Sequence, residues 1–216
     1  MQITIREPGS AITHFIGMMM AIFASIPLLV KAGLSSGAIS LLAMAVFMAS
    51  MILLYGASAT YHSVNLTGKP LRVFRKLDHM MIFVLIAGSY TPVCLIVLGG
   101  TMGYALLALV WGIALAGMII KACWITCPKW FSSVIYIAMG WVCVLVFGRL
   151  VDTLPTAAFL WLLAGGILYT VGGVIYALKL PLFNLKHKHF GSHEVFHLFV
   201  MAGSICHFIF MYTYVA

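Results

Sequence analysis

Seven long apolar segments take up most of this chain, and they restrict what it can fold into more than any other feature. A helix needs roughly 20 apolar residues to cross a bilayer, and each segment comes close to that length. The segments cover about residues 11 to 30, 37 to 62, 79 to 98, 102 to 120, 132 to 149, 157 to 178 and 192 to 215. Charged residues make up only 7% of the sequence. We therefore predict an all-α membrane protein, a bundle of seven transmembrane helices.

The stretches between the apolar segments are too short to form a second domain. The first segment also continues past the length of a signal peptide's apolar region, which is about 7 to 15 residues. We expect this segment to remain in the protein as the first helix. The sequence thus predicts one seven-helix transmembrane domain over residues 1 to 216.

The basic residues predict the orientation of the bundle. With the N-terminus in the cytoplasm, ten of the 12 Lys and Arg residues fall on the cytoplasmic side, and Lys31 and Arg149 fall outside. The ten are Arg6, Lys69, Arg72, Arg75, Lys76, Lys121, Lys129, Lys179, Lys186 and Lys188. This bias is typical of the positive-inside rule, so we expect a C-terminus outside and a multi-pass protein of the plasma (inner) membrane. Because the basic residues form no single stripe, we expect no nucleic-acid partner.

Histidines and a carboxylate gather where three of the segments meet the predicted cytoplasmic face. Ser58-Ala-Thr-Tyr-His62 closes the second segment, Lys76-Leu-Asp78-His79 opens the third, and His193-Glu-Val-Phe-His197 opens the seventh. Such groups are costly beside lipid, so a shared metal ion explains their convergence. Taken alone, His14 is interpreted as an interfacial polar residue, and His207 as a buried histidine near the opposite face.

The spacing of the histidines predicts three ligands for one ion. His193 and His197 are four residues apart, so on a helix they project from one face about 5 Å from each other. His62 is the third candidate. Zinc binds neutral imidazole nitrogen readily, and a catalytic zinc usually has three protein ligands and an open fourth position. We therefore predict a zinc site near the cytoplasmic face.

Asp78 and Ser58 are the candidate catalytic residues beside that site. Three neutral imidazoles leave the charge of the ion uncompensated, so a nearby Asp78 carboxylate would be favoured to ionise. Ser58 lies one turn from His62, where its hydroxyl could contact Asp78, a water or a substrate carbonyl. Asp78 could be a direct fourth ligand or could act beside the ligands, and both alternatives remain open from the residues alone.

A competing interpretation comes from the motif around Glu194. The sequence His193-Glu194-Val-Phe-His197 satisfies H-E-x-x-H, in which the glutamate is the general base of a metalloprotease. A membrane version of this motif occurs in the site-two protease type. The metzincin extension is absent, since Gly203 occupies the position of its third histidine. A site-two protease also does not require Ser-x-x-x-His on an earlier helix or the Lys-Leu-Asp that follows.

Several motifs together resemble the hemolysin III branch of the progestin and adipoQ receptor family, which is itself similar to the alkaline ceramidases. They are Ser10-Ala-Ile-Thr-His14, Ser58-Ala-Thr-Tyr-His62, Lys76-Leu-Asp78-His79, Gly88-Ser-Tyr-Thr-Pro92, Ser192-His-Glu-Val-Phe-His197 and Cys206-His-Phe208. The resemblance implies zinc held by His62, His193 and His197, with Asp78 near the metal-bound water and Ser58 close by. It also implies a cytoplasmic N-terminus and a link to membrane-fluidity homeostasis.

Three functions are consistent with these residues. The first is a zinc-dependent hydrolase acting on a membrane lipid or lipid-like substrate, with zinc polarising an amide or ester carbonyl. The second is a non-enzymatic membrane sensor or hemolysin-type cytolytic protein, in which zinc is a structural link between helices. The third is an intramembrane metalloprotease, which would make Glu194 essential. Of these we favour the lipid hydrolase.

Overall fold

The computed structural model describes residues 5–35, 37–178 and 190–216, and their regular secondary structure is helical throughout. The α-helices are α1 (Pro8–Ser35), α2 (Gly37–Ser63), α3 (Gly68–Pro92), α4 (Gly100–Cys123), α5 (Lys129–Gly140), α6 (Phe147–Thr153), α7 (Thr156–Leu178) and α8 (Ser192–Phe210). Wider π-helical turns extend α3 over Val93–Leu98 and α8 over Met211–Val215.

Seven stretches of these helices are long and apolar enough to cross a membrane. The fifth stretch, Lys129–Thr153, combines α5, a short 3₁₀ segment and α6, and each of the others is built on one α-helix. The prediction of an all-α bundle with seven transmembrane helices is therefore confirmed. Of the ten basic residues used to predict the orientation, Lys179, Lys186 and Lys188 lie outside the described residues.

The third helix begins earlier than the sequence suggested. The basic residues at 69–76 fall between the second and third predicted segments, with Asp78 and His79 at the start of the third, but α3 already begins at Gly68. Lys and Arg are good helix formers, and their long side chains can extend from a helix end towards the headgroups. The helix can therefore continue through the charged stretch. As a result Asp78 lies well inside α3, within the bundle.

Close packing joins α3 to α2 near the centre of the bundle. A Cβ atom built on Gly88 would lie 2.2 Å from the Oγ of Ser50, which is far inside contact distance. Only glycine allows the two backbones this approach. Deeper in the bundle, Ser204 of α8 bonds the hydroxyls of Tyr55 at 2.7 Å and Tyr169 at 2.8 Å. This network ties α2, α7 and α8 together next to the predicted site.

The fifth span is interrupted at its centre. α5 ends at Gly140, and a 3₁₀ segment, Trp141–Val146, precedes α6. The change of helix type frees backbone groups that must find new partners in a membrane. Tyr90 of α3 supplies them, since its hydroxyl donates to the Gly140 carbonyl at 2.6 Å and accepts from the Cys143 N–H at 2.9 Å. The interruption lies against a cavity of the bundle, which Gly140, Trp141 and Cys143 line.

Candidate metal centre

The first, second and eighth helices meet at one end of the bundle through residues close to the predicted ligands. The backbone N–H of Glu7, just before α1, donates to the carbonyl of His62 at 3.0 Å. The Ser10 hydroxyl of α1 donates to a carboxylate oxygen of Glu194 in α8 at 2.5 Å. These bonds fix the relative positions of the end of α2 and the start of α8.

The structure brings the three predicted ligands together. One ring nitrogen each of His62, His193 and His197 lies within 4.8 Å of the other two. The Nε2 atoms of His62 and His193 are 3.3 Å apart. Nitrogens bound at about 2.0–2.1 Å to a tetrahedral zinc ion are separated by about 3.3 Å, so this spacing fits such an ion. His62 and His197 are each 2% exposed, as expected for ligands of a buried site.

Asp78 lies beside the three histidines and not among them. It lines the same cavity as His193 and His197, but it does not belong to the group whose ligand atoms are mutually within 4.8 Å. Its Oδ2 atom is 3.4 Å from the Nδ1 of His79, whose ring also contacts the Arg75 carbonyl at 2.9 Å.

Ser58 is placed to contact a bound molecule. The side chain is 1% exposed and lines the cavity, and its hydroxyl acts on the neighbouring Asp78 carboxylate without a close hydrogen bond to any described residue. A buried polar group without a close partner costs about 1–3 kcal/mol, which water or a ligand can recover. Ser58 thus lies beside Asp78, at the position where the sequence predicts a hydroxyl.

His14 differs from its interpretation as an interfacial residue. It is only 3% exposed and its ring stacks on that of His197, with centroids 3.5 Å apart and planes at 9°. Neither ring nitrogen has a hydrogen-bond partner in the described part of the chain. The interpretation was wrong because α1 turns this residue towards the cavity, where Tyr55 contacts the edge of the ring at a centroid distance of 5.1 Å.

Two residues near the start of α1 contact the ligands and were missed from the sequence. A Glu7 carboxylate oxygen accepts a hydrogen bond from the Nδ1 of His62. The Thr13 hydroxyl lies 3.1 Å from the Nδ1 of His197. The bond from His62 lowers the pKa of Glu7 to about 2, so this carboxyl is ionised at neutral pH. The signal available was that Glu7 is one of only four acidic residues in the chain.

An elongated apolar cavity of about 180 Å³ leads away from the histidines. Its polar end is lined by His14, Ser58, Asp78, His79, His193 and His197. The rest is lined mainly by aliphatic and aromatic side chains from α3, α5, α7 and α8, and it reaches Leu150 of α6 and His207 of α8. His207 contacts the Leu162 carbonyl through Nε2 at 3.3 Å, in line with its predicted role as a buried histidine. A cavity of this shape suits a molecule with a polar group and an apolar chain.

Comparisons with known proteins extend over almost the whole chain. The sequence profile of the family described as "Haemolysin-III related" matches residues 2–208. "Hemolysin-3" of Bacillus cereus is 38% identical over 211 residues, which cover 97% of this chain and 92% of the relative. "Hemolysin-3 homolog" of Bacillus subtilis (strain 168) is 36% identical over 206 residues, covering 95% and 92% of the two chains. With this extent of similarity, and with seven potential membrane spans, the chain belongs to the haemolysin-III-related family of membrane proteins.

Proposed function

We propose that this protein is a zinc-dependent hydrolase that cleaves an amide or ester bond in a membrane lipid. The observation that carries the proposal is the meeting of three imidazole nitrogens, mutually within 4.8 Å, with the polar end of an apolar cavity. A catalytic metal site needs an open position and room for a substrate beside it. Three protein ligands would leave a fourth position open, and the cavity beside them has room for a substrate.

The chain's own residues would divide the chemistry between them. Zinc on the three imidazoles would supply a Lewis acid for a scissile carbonyl and for the hydrolytic water. Asp78, in the same cavity and outside the ligand group, would accept the proton of that water. The Ser58 hydroxyl, beside Asp78, would donate to the oxygen that gains negative charge on the carbonyl. The apolar walls of the cavity would hold the acyl chain and exclude water.

The test is release of fatty acid by the purified protein in lipid nanodiscs containing N-acylated and O-acylated lipids. Asp78→Asn keeps the shape of the side chain and removes the base, so release should fall by about 10²-fold or more. Asp152→Asn is the matched control, because Asp152 is exposed and does not line the cavity. Equal release by the wild type and Asp78→Asn would remove Asp78 from the mechanism. Zinc content is measured on the same samples.

A non-enzymatic role is the second candidate, and the names of the relatives favour it. One relative is named "Hemolysin-3" and the other "Hemolysin-3 homolog". In this role the metal would tie α2 to α8 as a structural link. Leakage of a dye from vesicles, unaffected by Asp78→Asn and absent in His62→Ala, would support this role. Lipid hydrolysis that depends on Asp78 would contradict it.

The surroundings of Glu194 argue against a protease. One carboxylate oxygen accepts from the Ser10 hydroxyl at 2.5 Å and the other from the Gly191 N–H at 2.8 Å. The residue does not line the cavity. Glu194 therefore caps its own helix and joins it to α1, and a general base of the H-E-x-x-H type would have to break both contacts. Retention of activity in Glu194→Gln would exclude the protease.

We also propose that the histidines face the cytoplasm in the plasma membrane, because the basic residues of the sequence are concentrated on that side. Cys123 offers a test. Cys123 is exposed at the end of α4. Lys76 of α3, two residues before Asp78, donates to the carbonyl of the neighbouring Ala122. Cys123 therefore lies at the same end of the bundle as the three histidines. In a variant with Cys123 as the only cysteine, a membrane-impermeant maleimide should label intact cells poorly and permeabilised cells well. Equal labelling of intact and permeabilised cells would mean that the histidines face the outside of the cell.

A further inference from the structure

We infer that two residues at the start of the chain's first helix hold the candidate metal ligands in position by hydrogen bonds. Glu7, just before α1, orients His62, and Thr13 of α1 orients His197. This inference rests on the proposed metal site and adds two positioning residues to it. Metal-bound histidines usually donate their second N–H to a carboxylate, carbonyl or other acceptor, which fixes the ring and its protonation. Glu7, just before α1, and Thr13, in its first turns, have the positions and the chemistry for this task.

The contact between Glu7 and His62 sets which nitrogen of the ring is free. The Glu7 carboxylate is an acceptor only, so the Nδ1 of His62 must carry the proton. The Nε2 atom is then left with its lone pair, and this is the atom 3.3 Å from the Nε2 of His193. A second bond, from the Glu7 N–H to the His62 carbonyl at 3.0 Å, holds the two residues in register.

The Thr13 contact favours the same state of His197 by a different route. The Thr13 hydroxyl lies 3.0 Å from the carbonyls of both Gly9 and Ser10, so its hydrogen points to the backbone of its own helix. Its oxygen lone pairs can then accept from the Nδ1 of His197 at 3.1 Å, so Thr13 favours the tautomer with the proton on Nδ1, and the ring also hydrogen-bonds the backbone of Ser10. The Nε2 atom of His197 is again free for a ligand bond.

The third candidate ligand has no such support from the residues that the structure describes. The Nδ1 of His193 is buried and has no hydrogen-bond partner among them. Two of the three rings are thus fixed from α1, one by an anion and one by a neutral hydroxyl. Glu7 also supplies negative charge close to the site, which favours a dication, while Thr13 can only orient. Loss of Glu7 should therefore weaken metal binding more than loss of Thr13.

The experiment is a zinc titration of purified protein in detergent, against a competing chelator of known affinity. We expect Glu7→Ala to weaken zinc binding about 10–100-fold and Thr13→Val about 10-fold. The conservative variants Glu7→Gln and Thr13→Ser retain an acceptor oxygen. Glu7→Gln should therefore bind zinc more tightly than Glu7→Ala, and Thr13→Ser more tightly than Thr13→Val. Thr60→Val is the matched control, because Thr60 is exposed and its hydroxyl bonds the Gly56 carbonyl of its own helix.

Further measurements separate orientation from folding. The melting temperature of the zinc-free variants should stay near that of the wild type, and the visible spectrum of bound cobalt(II) should change in Glu7→Ala and Thr13→Val. A purely structural role would lower the zinc-free melting temperature and leave the zinc affinity of the folded fraction unchanged.

The outcomes also distinguish this inference from the proposal beneath it. Wild type that binds no more zinc than His197→Ala would overturn the metal site and the inference together. Wild type that binds zinc, with Glu7→Ala and Thr13→Val binding equally well, would overturn the inference alone and leave the three histidines as the site. Weakened binding in both, with recovery in Thr13→Ser, is the supporting result.

Discussion

Two buried polar clusters lie at the same end of the bundle, and they differ in what they leave unsatisfied. The histidine cluster comprises His62, His193 and His197. The lysine cluster, between α4 and α5, comprises Lys121, Cys127 and Ser132, which are 2%, 7% and 2% exposed. Lysine is almost never fully buried unless it is paired, and histidine is buried less often than apolar residues, so both clusters need partners for their polar groups.

The histidine cluster brings three ring nitrogens to face one another. If the Nδ1 atoms of His62 and His197 donate outwards, their Nε2 atoms carry lone pairs. A proton on the Nε2 of His193 can bond only one of them, whereas a cation between the rings would satisfy all three. The lysine cluster carries its own cation. The Lys121 ammonium donates to Ser132 and, at 3.1 Å, to Cys127, and it lies 5.9 Å from the centre of the Tyr136 ring. The first cluster therefore calls for a ligand, and the second is complete.

The largest expected effect is on the histidine cluster. Saturating zinc should raise the melting temperature of the wild type, since an ion present at about 1,000 times its dissociation constant stabilises the folded state by about 4 kcal/mol. His62→Ala removes a ligand and should lose this shift. Melting is followed in detergent with zinc and with a chelator. A shift of the same size in His62→Ala would mean that zinc acts elsewhere.

Sequence reasoning identified the histidine cluster because its signals are local. His193 and His197 share a helix face through their spacing alone, and His62 was found from its place at the end of an apolar segment. Glu7 and Thr13 could not be found this way, because their contacts depend on how α1 is rotated and on how deep it lies. Such packing is set by many small side-chain contacts and has no short spacing rule.

The boundaries and the cavity were the other features that sequence patterns could not supply. The early start of α3 was missed because charged residues were equated with a loop. The interrupted fifth span was missed because no polar residue marks the change from α-helix to 3₁₀-helix. The backbone groups at this change are bonded by the hydroxyl of Tyr90, which lies on a different helix. The seven spans themselves were predicted well, since the length of an apolar run is nearly sufficient to define a membrane helix.

A moderate effect is expected when the lysine cluster is made apolar. Lys121→Met removes a buried charge but leaves Cys127 and Ser132 to bond each other, as they already do at 3.3 Å. Replacing a buried charged group by an apolar one of similar volume is often neutral or stabilising, so the free energy of unfolding should change by less than about 2 kcal/mol. The zinc-induced shift in melting temperature should be unchanged. Loss of that shift in Lys121→Met would show that the two clusters are coupled.

The smallest effect concerns the acidity of Cys127. Burial raises the pKa of its thiol, but hydrogen bonds with Ser132 and Lys121 and the charge of Lys121 outweigh burial, so the pKa lies below its usual value. The thiolate is the nucleophile, and it should therefore persist to lower pH than an ordinary thiolate. We expect the pH at which Cys127 reacts half-maximally with a small methanethiosulfonate to rise in Lys121→Met.

The measurement uses a variant in which Cys127 is the only cysteine, with modification followed by mass spectrometry across pH. The sign is set by linkage: the lowered pKa stabilises the fold at pH values above the unfolded thiol's pKa, and this contribution is lost as the pH falls through the folded value. An unchanged pH profile in Lys121→Met would mean that the ammonium does not act on the thiol. The thiol of Cys127 would then not help to stabilise the buried charge of Lys121. The lysine cluster, like the histidine cluster, would need a further partner for its polar groups.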